Sequence, residues 1–365
     1  MRIAQVAPLA ESVPPKLYGG TERIVSYLTE ELVRQGHDVT LFASGDSVTG
    51  AKLVPCAAKA LRLNPTVSDP LPHHLLMLDA VRSRAAEFDL VHFHIDLLHY
   101  PIMGAHRHHS LTTLHGRLDL RDSHVLYAAF SDYPLVSISD HQRRPMPAVT
   151  WAGTVHHGLP LDVLDYSPGN QSGYLAFLGR ISPEKRPDRA IRIAERCGLP
   201  LKIAAKVDKA DAEYWEAVIK PMVAASPHVE FVGEIGEREK SRFLGEALAL
   251  VFPIDWPEPF GLVMIEAMAC GTPVLAFGCG SVPEVIDPGV TGAIVHDTDQ
   301  AAAAMPSLIA LDRARIRRTF ETRFSARRMA NDYLALYRRF ARSRDCVATV
   351  PVGQRQMLPR LAMGI

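Results

Sequence analysis

Short apolar segments alternate with amphipathic segments along most of the chain, and this alternation restricts the fold more than any other feature. The apolar segments of the first half include RIAQVAP, DVTLFAS, LVHFH, LTTLHG, LVSISD and TVHHGL. Between the first two, the segment TERIVSYLTEELVRQGH has apolar residues at helical spacing, namely Ile24, Val25, Leu28, Leu32 and Val33. Buried strands that alternate with helices are typical of parallel sheets covered by helices on both faces.

The same pattern restarts in the second half, at YLAFLGR, and continues through LKIAAK, VEFVGE, ALVFPI, PVLAF and GAIVHD. The intervening segment LDYSPGNQSG is polar and rich in Gly, Pro and Ser, which is typical of a linker. A chain of 365 residues is also long for one hydrophobic core. We therefore predict an α/β protein with two doubly wound, Rossmann-like domains, at 1–165 and 170–325. A closing helix at 325–342 would pack back toward the N-terminal domain, and 343–365 would form a tail.

Composition excludes several classes of protein. Lys plus Arg and Asp plus Glu both number 40, so no basic field favours nucleic acid. The five cysteines are scattered without a CxxC pair, which indicates free thiols in a reducing compartment. The sequence has neither the pattern of a signal peptide nor an apolar run of ~18 residues, so we expect a cytoplasmic protein.

Two glutamates flank an apolar run in the segment EPFGLVMIEAMACGTPV. Glu258 falls in the loop after the strand ALALVFPI, and Glu266 falls about one turn inside a helix that we predict to begin near Leu262. A buried carboxylate without a partner is costly, so Glu266 either lies on the wet edge of this helix or binds a ligand.

The predicted start of this helix favours an anion between the two glutamates. The backbone amides of Gly261, Leu262 and Val263 have no partner within the helix, and they point into the space between the carboxylates. A phosphate fits at that position, with a polyhydroxylated group beside each carboxylate. A sugar nucleotide has this order of hexose, diphosphate and ribose.

Two other segments place chemistry at strand ends. In LGRISPEKRPDRAI, Arg180 ends a strand and Lys185 lies in the following loop, where the two cations either hold a diphosphate or are solvated charges. In LYGGTERIVSYL, Gly19 and Gly20 permit close approach of the backbone to an anion at a helix start. Alternatively, this segment is a plain loop with Thr21 as the helix cap.

The histidines suggest a metal site only weakly. His92 and His94 lie on one face of a strand and could chelate a metal, but no cysteine or carboxylate cluster completes such a site. We therefore predict no metal. His115 ends a strand of the first domain and faces the cleft, either as a site residue or as a hydrogen-bonded structural histidine.

The GGTE loop, GRISPEK, the Glu-x7-Glu pair and GTPV occur in this order from Tyr18 to about Val295. Together they make the chain resemble the retaining glycosyltransferases of the GT-B fold, family 4, and within it the branch of the avilamycin-pathway enzyme. The resemblance implies two Rossmann-like domains that face each other across a cleft. The sequence departs from the family pattern at Ser281, where the family has a glycine.

Catalytic roles follow from the resemblance for four residues. It implies that Glu258 binds hydroxyl groups of the donor sugar and that His115 approaches the same sugar. Arg180 and Lys185 would hold the diphosphate. The other donor-binding positions that it implies or that the helix start adds are Gly19, Gly20, Ile235, Gly261, Leu262, Val263, Glu266 and Glu284.

The implied activity is transfer of a hexose, with retention, from a nucleoside-diphosphate sugar such as a UDP-hexose to a hydroxyl group of an acceptor. No cofactor or metal is implied, and the acceptor is unidentified, either soluble or lipid-linked. A sugar-nucleotide epimerase of the same fold and a catalytically idle sugar-nucleotide-binding protein are the alternatives.

Arginines are concentrated between Asp312 and Arg344. A solvated helix face explains this charge most simply. The alternative is a weak peripheral contact with anionic lipid at the inner membrane face, because clustered arginines on an amphipathic helix attract such surfaces.

Overall fold

The computed structural model describes residues 1–16, 19–62, 64–168 and 173–347, without the side chains of 342–347. Most of the predicted tail, part of the predicted linker and Tyr18 lie outside the described residues. The first domain holds the strands β1 (Arg2–Val6), β2 (Asp38–Ser44), β3 (Lys52–Ala57), β4 (Leu90–Phe93), β5 (Ser110–Thr113), β6 (Leu135–Ser137) and β7 (Trp151–Thr154). They form one parallel sheet in the order β3-β2-β1-β4-β5-β6-β7. Its helices are α1 (Gly20–Arg34), α2 (Leu71–Arg84) and α3 (Arg121–Ala129).

The second domain repeats this architecture. Its strands are β8 (Leu175–Arg180), β9 (Leu201–Lys206), β10 (Val229–Gly233), β11 (Ala249–Phe252), β12 (Val274–Phe277) and β13 (Gly292–Val295). They form a parallel sheet in the order β10-β9-β8-β11-β12-β13. The helices are α4 (Pro187–Cys197), α5 (Ala212–Tyr214), α6 (Lys220–Ala225), α7 (Glu237–Gly245), α8 (Leu262–Ala269), α9 (Val282–Val285), α10 (Thr298–Ile309), α11 (Arg313–Arg323) and α12 (Ala326–Val347). Short 3₁₀ turns span Ala85–Glu87, Gly104–His109, His141–Arg143, Pro183–Lys185 and Lys209–Asp211, and a π-helical turn spans Trp215–Ile219.

These two sheets confirm the predicted fold class of doubly wound α/β domains. In each sheet the order of the strands reverses beside the first strand, between β1 and β4 and between β8 and β11. Ligands bind at such switch points, beyond the carboxyl ends of the strands. The carboxyl ends of β1 and β8 face the same interdomain space, since residues that follow both strands line one cavity.

The longest helix, α12, returns to the first domain after the second is complete. Tyr333 and Tyr337 are fully buried, and their hydroxyl groups bond to Thr113, Gln5 and His92 of the first domain. The helix extends to Val347, beyond the predicted end at 342.

The two chain crossings between the domains lie side by side. The Leu159 amide donates to the Phe324 carbonyl at 2.9 Å, and the Ala326 amide donates to the Leu159 carbonyl at 2.8 Å. A Cβ atom at Gly158 would lie 2.3 Å from the Ser325 carbonyl oxygen, so this approach requires glycine.

Candidate functional site

A cavity of about 550 Å³ lies between the two domains at the carboxyl ends of the strands. This volume is within the usual range for ligand sites. The structure brings together eleven of the predicted site residues in its lining: Gly19, Gly20, His115, Arg180, Lys185, Ile235, Glu258, Gly261, Leu262, Val263 and Glu266. We call this space the donor cavity, after the role that the resemblance implies for these residues.

Glu258 is buried beside two hydrogen-bond donors. The Lys185 ammonium group forms an ion pair with its carboxylate, and the Trp256 indole N–H donates to the same oxygen at 3.0 Å. The residue is only 8% exposed, so this carboxylate is satisfied without a ligand yet reaches the cavity.

The loop that carries Glu258 rests on the turn before α9. A Cβ atom at Gly280 would lie 2.3 Å from the Glu258 backbone nitrogen, which leaves room for glycine alone. The next residue, Ser281, donates from its amide to the Glu258 carbonyl at 3.0 Å and from its hydroxyl to the Phe260 carbonyl at 2.8 Å. The serine that departs from the family pattern therefore holds the loop in place.

Glu266 has a partner that sequence analysis missed. It is 5% exposed, and its carboxylate accepts a hydrogen bond of 2.7 Å from the Lys240 ammonium group of α7. The apolar run around Glu266 thus tolerates a carboxylate because a cation from another helix neutralises it.

The start of α8 lies between these two Lys–Glu pairs. Gly261 has φ +78°, a left-handed conformation that costs glycine little, and it directs the chain into the helix that begins at Leu262 as predicted. A Cβ atom at Gly20 would lie 3.7 Å from the Leu262 side chain, so the glycine pair of the first domain approaches this helix end across the cleft.

Arg180 ends β8 and lines the donor cavity among acids. Its guanidinium group donates to Glu184 at 2.6 Å and lies 3.6 Å from Asp211 and 4.0 Å from Asp208. These contacts hold the guanidinium group at the mouth of the cleft, on the same side as Lys185.

His115 belongs to a hydrogen-bonded row that crosses the first domain. His94 bonds to His115 at 2.8 Å and to Gln5 at 2.8 Å, and Gln5 donates to the Tyr337 hydroxyl at 3.0 Å. Burial lowers the pKa of His115 to about 3 and that of His94 well below its ordinary value. His115 is therefore neutral near pH 7, and its Nδ1 has no hydrogen-bond partner among the described residues.

His92 and His94 both belong to this row of hydrogen-bonded side chains. His92 bonds to Tyr337 at 2.7 Å and to Thr113 at 2.7 Å, and its ring centroid is 4.0 Å from that of His94. Within the part of the chain that the structure describes, no group of three or more His, Cys, Asp or Glu residues is arranged to hold a metal ion.

Glu284 lies apart from the donor cavity, so its predicted role in donor binding is not supported by its position. Its carboxylate accepts hydrogen bonds from the amides of Asp140 and His141 at 2.7 and 2.8 Å, and from His156 at 3.2 Å. It thus caps a turn of the other domain. Burial alone would raise its pKa, but the hydrogen bonds from His156 and the two amides hold the pKa below its ordinary value.

Eight charged residues of the lining were not identified from the sequence: Lys16, Glu22, Arg23, Arg62, Lys206, Glu234, Glu237 and Lys240. An ion pair between Arg23 of α1 and Glu237 of α7 bridges the two domains. Glu237 and Lys240 lie in the first turn of the helix that follows β10, so the rule that sites follow strand ends could have indicated them.

Comparison with known families matches both halves of the chain. Residues 18–151 match the family described as Glycosyltransferase Family 4, and residues 167–322 match Glycosyl transferases group 1. Two doubly wound domains that face each other across a polar cleft define the GT-B architecture. The chain belongs to the GT-B glycosyltransferases, within family 4.

Among curated relatives, the chain is similar to D-inositol 3-phosphate glycosyltransferases. It is 32% identical to that of Mycobacterium sp. (strain JLS) over 199 residues, 45% of this chain and 40% of that protein. It is 26% identical to that of Mycolicibacterium smegmatis over 339 residues, 77% of this chain and 76% of that protein. The match to the first of these relatives therefore spans less than half of its length.

Solved structures share the fold. AviGT4, a glycosyltransferase involved in avilamycin A biosynthesis, has a TM-score of 0.71 at 22% identity, over 94% of this chain and 98% of that one. Sucrose-phosphate synthase from Thermosynechococcus elongatus has a TM-score of 0.76 at 20% identity, over 94% and 100%. Anabaena HepE in complex with UDP-glucose has a TM-score of 0.65 at 17% identity, over 95% and 100%.

Proposed function

We propose that the protein transfers a hexose from a UDP-linked donor to a hydroxyl group of an acceptor, with retention at the anomeric carbon. One observation carries this proposal. The pairs Lys185–Glu258 and Lys240–Glu266 flank the start of α8, with one carboxylate for the hexose, the helix amides for the diphosphate and the other carboxylate for the ribose.

Both ion pairs are suited to exchange partners when the donor binds. The diphosphate attracts Lys185 and Arg180, and Glu258 then accepts hydrogen bonds from sugar hydroxyl groups in place of the ammonium group. Glu266 accepts in the same way from the ribose. At both carboxylates one charge-assisted hydrogen bond replaces another, and Lys240 retains the Glu237 carboxylate at 3.9 Å as a second partner.

Rate enhancement arises from charge that develops on the leaving diphosphate. Arg180, Lys185 and the amides at the start of α8 stabilise that charge more strongly in the transition state than in the bound donor. The bond from the anomeric carbon to the diphosphate oxygen breaks, the bond to the acceptor oxygen forms on the same face, and the acceptor proton passes to the departing phosphate. The cations supply the stabilisation, so the reaction needs no metal.

Two comparisons support the choice of donor. HepE, which shares the fold, holds UDP-glucose, and the curated relatives and sucrose-phosphate synthase are named for glycosyl transfer or sugar-phosphate synthesis. The backbone near Ile235 lines the donor cavity at the carboxyl end of β10, where it can contact the base.

The test is a panel of UDP-, GDP- and ADP-linked hexoses, first for thermal stabilisation and then for release of nucleoside diphosphate with mixed acceptors. We expect UDP release, an α-linked product from an α-linked donor by NMR, and unchanged turnover in EDTA. Epimerised sugar nucleotide without acceptor, or binding without turnover, would favour the alternative functions. Loss of activity in EDTA with rescue by Mg²⁺ would contradict the metal-free reaction.

We also propose that a membrane contact, if the acceptor is lipid-linked, is weak and peripheral. Within the described residues, no helix has both the length and the apolar character to span a bilayer. Five arginine side chains of α11 and α12 donate hydrogen bonds to backbone carbonyl groups of the protein, namely Arg313, Arg317, Arg323, Arg328 and Arg339. This use leaves Arg315, Arg327 and Arg338 as exposed charges for lipid.

A further inference from the structure

A second cavity, of about 300 Å³, adjoins the donor cavity on the side of the first domain. Pro8, Thr21 and His115 line both cavities, so the two spaces meet at His115. The volume is at the lower limit for ligand sites and is suited to one sugar ring.

The carboxylate of Asp96 is the charged group of this second cavity. Asp96 lies in the loop after β4 and has φ +53°, a left-handed conformation that is uncommon for residues other than glycine. Backbone strain of this kind persists where the surrounding structure imposes it and is frequent at functional sites. The side chain is accessible from the cavity although protein surrounds it, and it interacts with the backbone amide of His115.

The remaining lining supplies polar groups without positive charge. His74 and His94 line the cavity with their ring nitrogens already hydrogen-bonded: the Leu9 amide donates to Nε2 of His74, whose Nδ1 bonds to the Pro70 carbonyl, and His94 bonds to His115 and Gln5. Thr21 contributes a hydroxyl group. Among the described residues that line this cavity there is no Lys or Arg. Lys16, Arg23 and Arg62 of the same domain lie at the donor cavity and form ion pairs with Asp46, Glu237 and Glu11.

We propose that the second cavity is the acceptor subsite and that it selects an unphosphorylated polyol or saccharide, whose hydroxyl groups Asp96 binds. A carboxylate without a neighbouring cation accepts hydrogen bonds from neutral hydroxyl groups and repels a phosphate. This inference rests on the proposed glycosyl transfer, and it separates this chain from relatives named for inositol 3-phosphate.

Asp96 takes no part in the proton balance of this step. The acceptor oxygen attacks the anomeric carbon, and its proton leaves with the diphosphate as described above. The role of Asp96 is to fix which hydroxyl group of the acceptor points toward His115 and the anomeric carbon, so the residue determines specificity.

The test compares neutral hexoses, pentoses and polyols with their monophosphates, including myo-inositol with its 3-phosphate and fructose with its 6-phosphate. Binding to the enzyme saturated with UDP is measured by saturation-transfer NMR, and transfer from UDP-glucose is measured by UDP release. We expect the neutral member of each accepted pair to have at least a tenfold higher kcat/KM. Preference for the phosphates, or binding of no neutral compound, would overturn the proposal.

A pair of variants then assigns the effect to the carboxylate. Asp96→Asn keeps the size of the side chain and suits the left-handed backbone, and it should reduce kcat/KM for the neutral acceptor at least tenfold. Asp79→Asn, at a carboxylate that is 66% exposed on α2, should change nothing. Equal acceptor kinetics in both variants would contradict the role of Asp96. The affinity for UDP, measured separately by calorimetry, tests the donor site alone. If the wild type did not bind UDP, this result would count against the proposed function and not against the role of Asp96.

Discussion

At the scale of single residues, the buried carboxylate of Glu258 accepts hydrogen bonds from two donors, so the effect of removing its charge can be measured. In Glu258→Gln the ion pair with Lys185 is lost but the side chain keeps its shape. We expect turnover to fall by about 100-fold, as for removal of one stabilising group from an active site, while circular dichroism and the unfolding temperature stay close to wild type.

The exposed pair Lys220–Glu216, at 2.7 Å, provides the control for this variant. Glu216→Gln removes a similar ion pair far from the cleft and should leave turnover unchanged. Full activity in folded Glu258→Gln protein would exclude the assignment of this carboxylate to the donor sugar.

Asp96 also gives a prediction for pH. Burial raises its pKa to about 6, an effect only partly offset by the hydrogen bond from the His115 amide. Burial lowers the pKa of His94 and His115 and raises that of Tyr100 and Tyr127, which moves all four away from this range. His74, which lines the same cavity, is hydrogen-bonded to the Leu9 amide and the Pro70 carbonyl. Because the ionised form binds the acceptor, acceptor kcat/KM should fall as the pH decreases through about 6.

The control for this profile is donor binding. The affinity for UDP should vary little across the same pH range, and Asp96→Asn should lose the inflection near pH 6. An unchanged inflection in that variant would assign the titration to another group.

The sequence predicts which residues at strand ends belong to the site, but it does not predict their hydrogen-bond and ion-pair partners from distant segments. Glu258, Arg180 and Lys185 follow strands in recognisable motifs, and the structure places all three at one cavity. Lys240 is a partner of Glu266 from a separate helix, and Glu284 caps a turn of the other domain. Such pairings depend on the tertiary arrangement of distant segments, which spacing in a single sequence does not encode.

At the scale of elements, α12 supports the row of side chains behind His115. Tyr337→Phe removes the hydroxyl group that bonds to Gln5 and His92, and both polar groups are then left in a buried site. We expect a loss of about 1–3 kcal/mol in the free energy of unfolding, measured by urea denaturation.

Tyr166, which is 36% exposed, provides the matched control, since Tyr166→Phe should cost much less. Equal stability of Tyr337→Phe and wild type would show that the buried hydroxyl group contributes nothing net.

The arginines of α11 and α12 predict only weak attraction to lipid. The exposed charges Arg315, Arg327 and Arg338 should give salt-sensitive co-sedimentation with anionic vesicles and none with neutral ones. The triple variant with Gln at these positions should lose this binding. Absence of binding by the wild type at low salt would remove the membrane contact and favour a soluble acceptor.

Secondary structure followed from the sequence except where tertiary context overrides it. The segment KLVPCA was not identified as a strand, yet it forms β3, an edge strand where Pro55 is tolerated. The sequence predicts the final strand of the first domain at TVHHGL, but β7 ends at Thr154 and the histidines after it belong to the crossing between domains.

At the scale of the whole molecule, the two domains hold each other by polar contacts around the cleft. The Glu284 carboxylate bonds to the amides of Asp140 and His141, and the Ser139 hydroxyl donates to the Pro259 carbonyl at 2.7 Å. In Glu284→Ala we expect a larger radius of gyration by small-angle scattering and a raised KM for the donor, because fewer contacts favour the closed arrangement.

Glu213, exposed on α5 in the second domain, provides the control, and Glu213→Ala should alter neither quantity. An unchanged radius of gyration and KM in Glu284→Ala would show that this contact does not determine the distance between the domains.

The paired crossings at Leu159 and Ser325 also determine how the molecule can open. A single linker would allow the domains to rotate about several axes. Two chain segments that are hydrogen-bonded side by side restrict this rotation to one axis. Arg328 donates to the carbonyls of His156 and His157, and the His157 ring stacks on His115 with centroids 5.3 Å apart. Rotation about this hinge would therefore move the His157 ring relative to His115 in the lining of the donor cavity. A protease that cuts the segment between the domains would also leave two fragments that remain associated, because α12 stays packed on the first domain through Tyr333 and Tyr337.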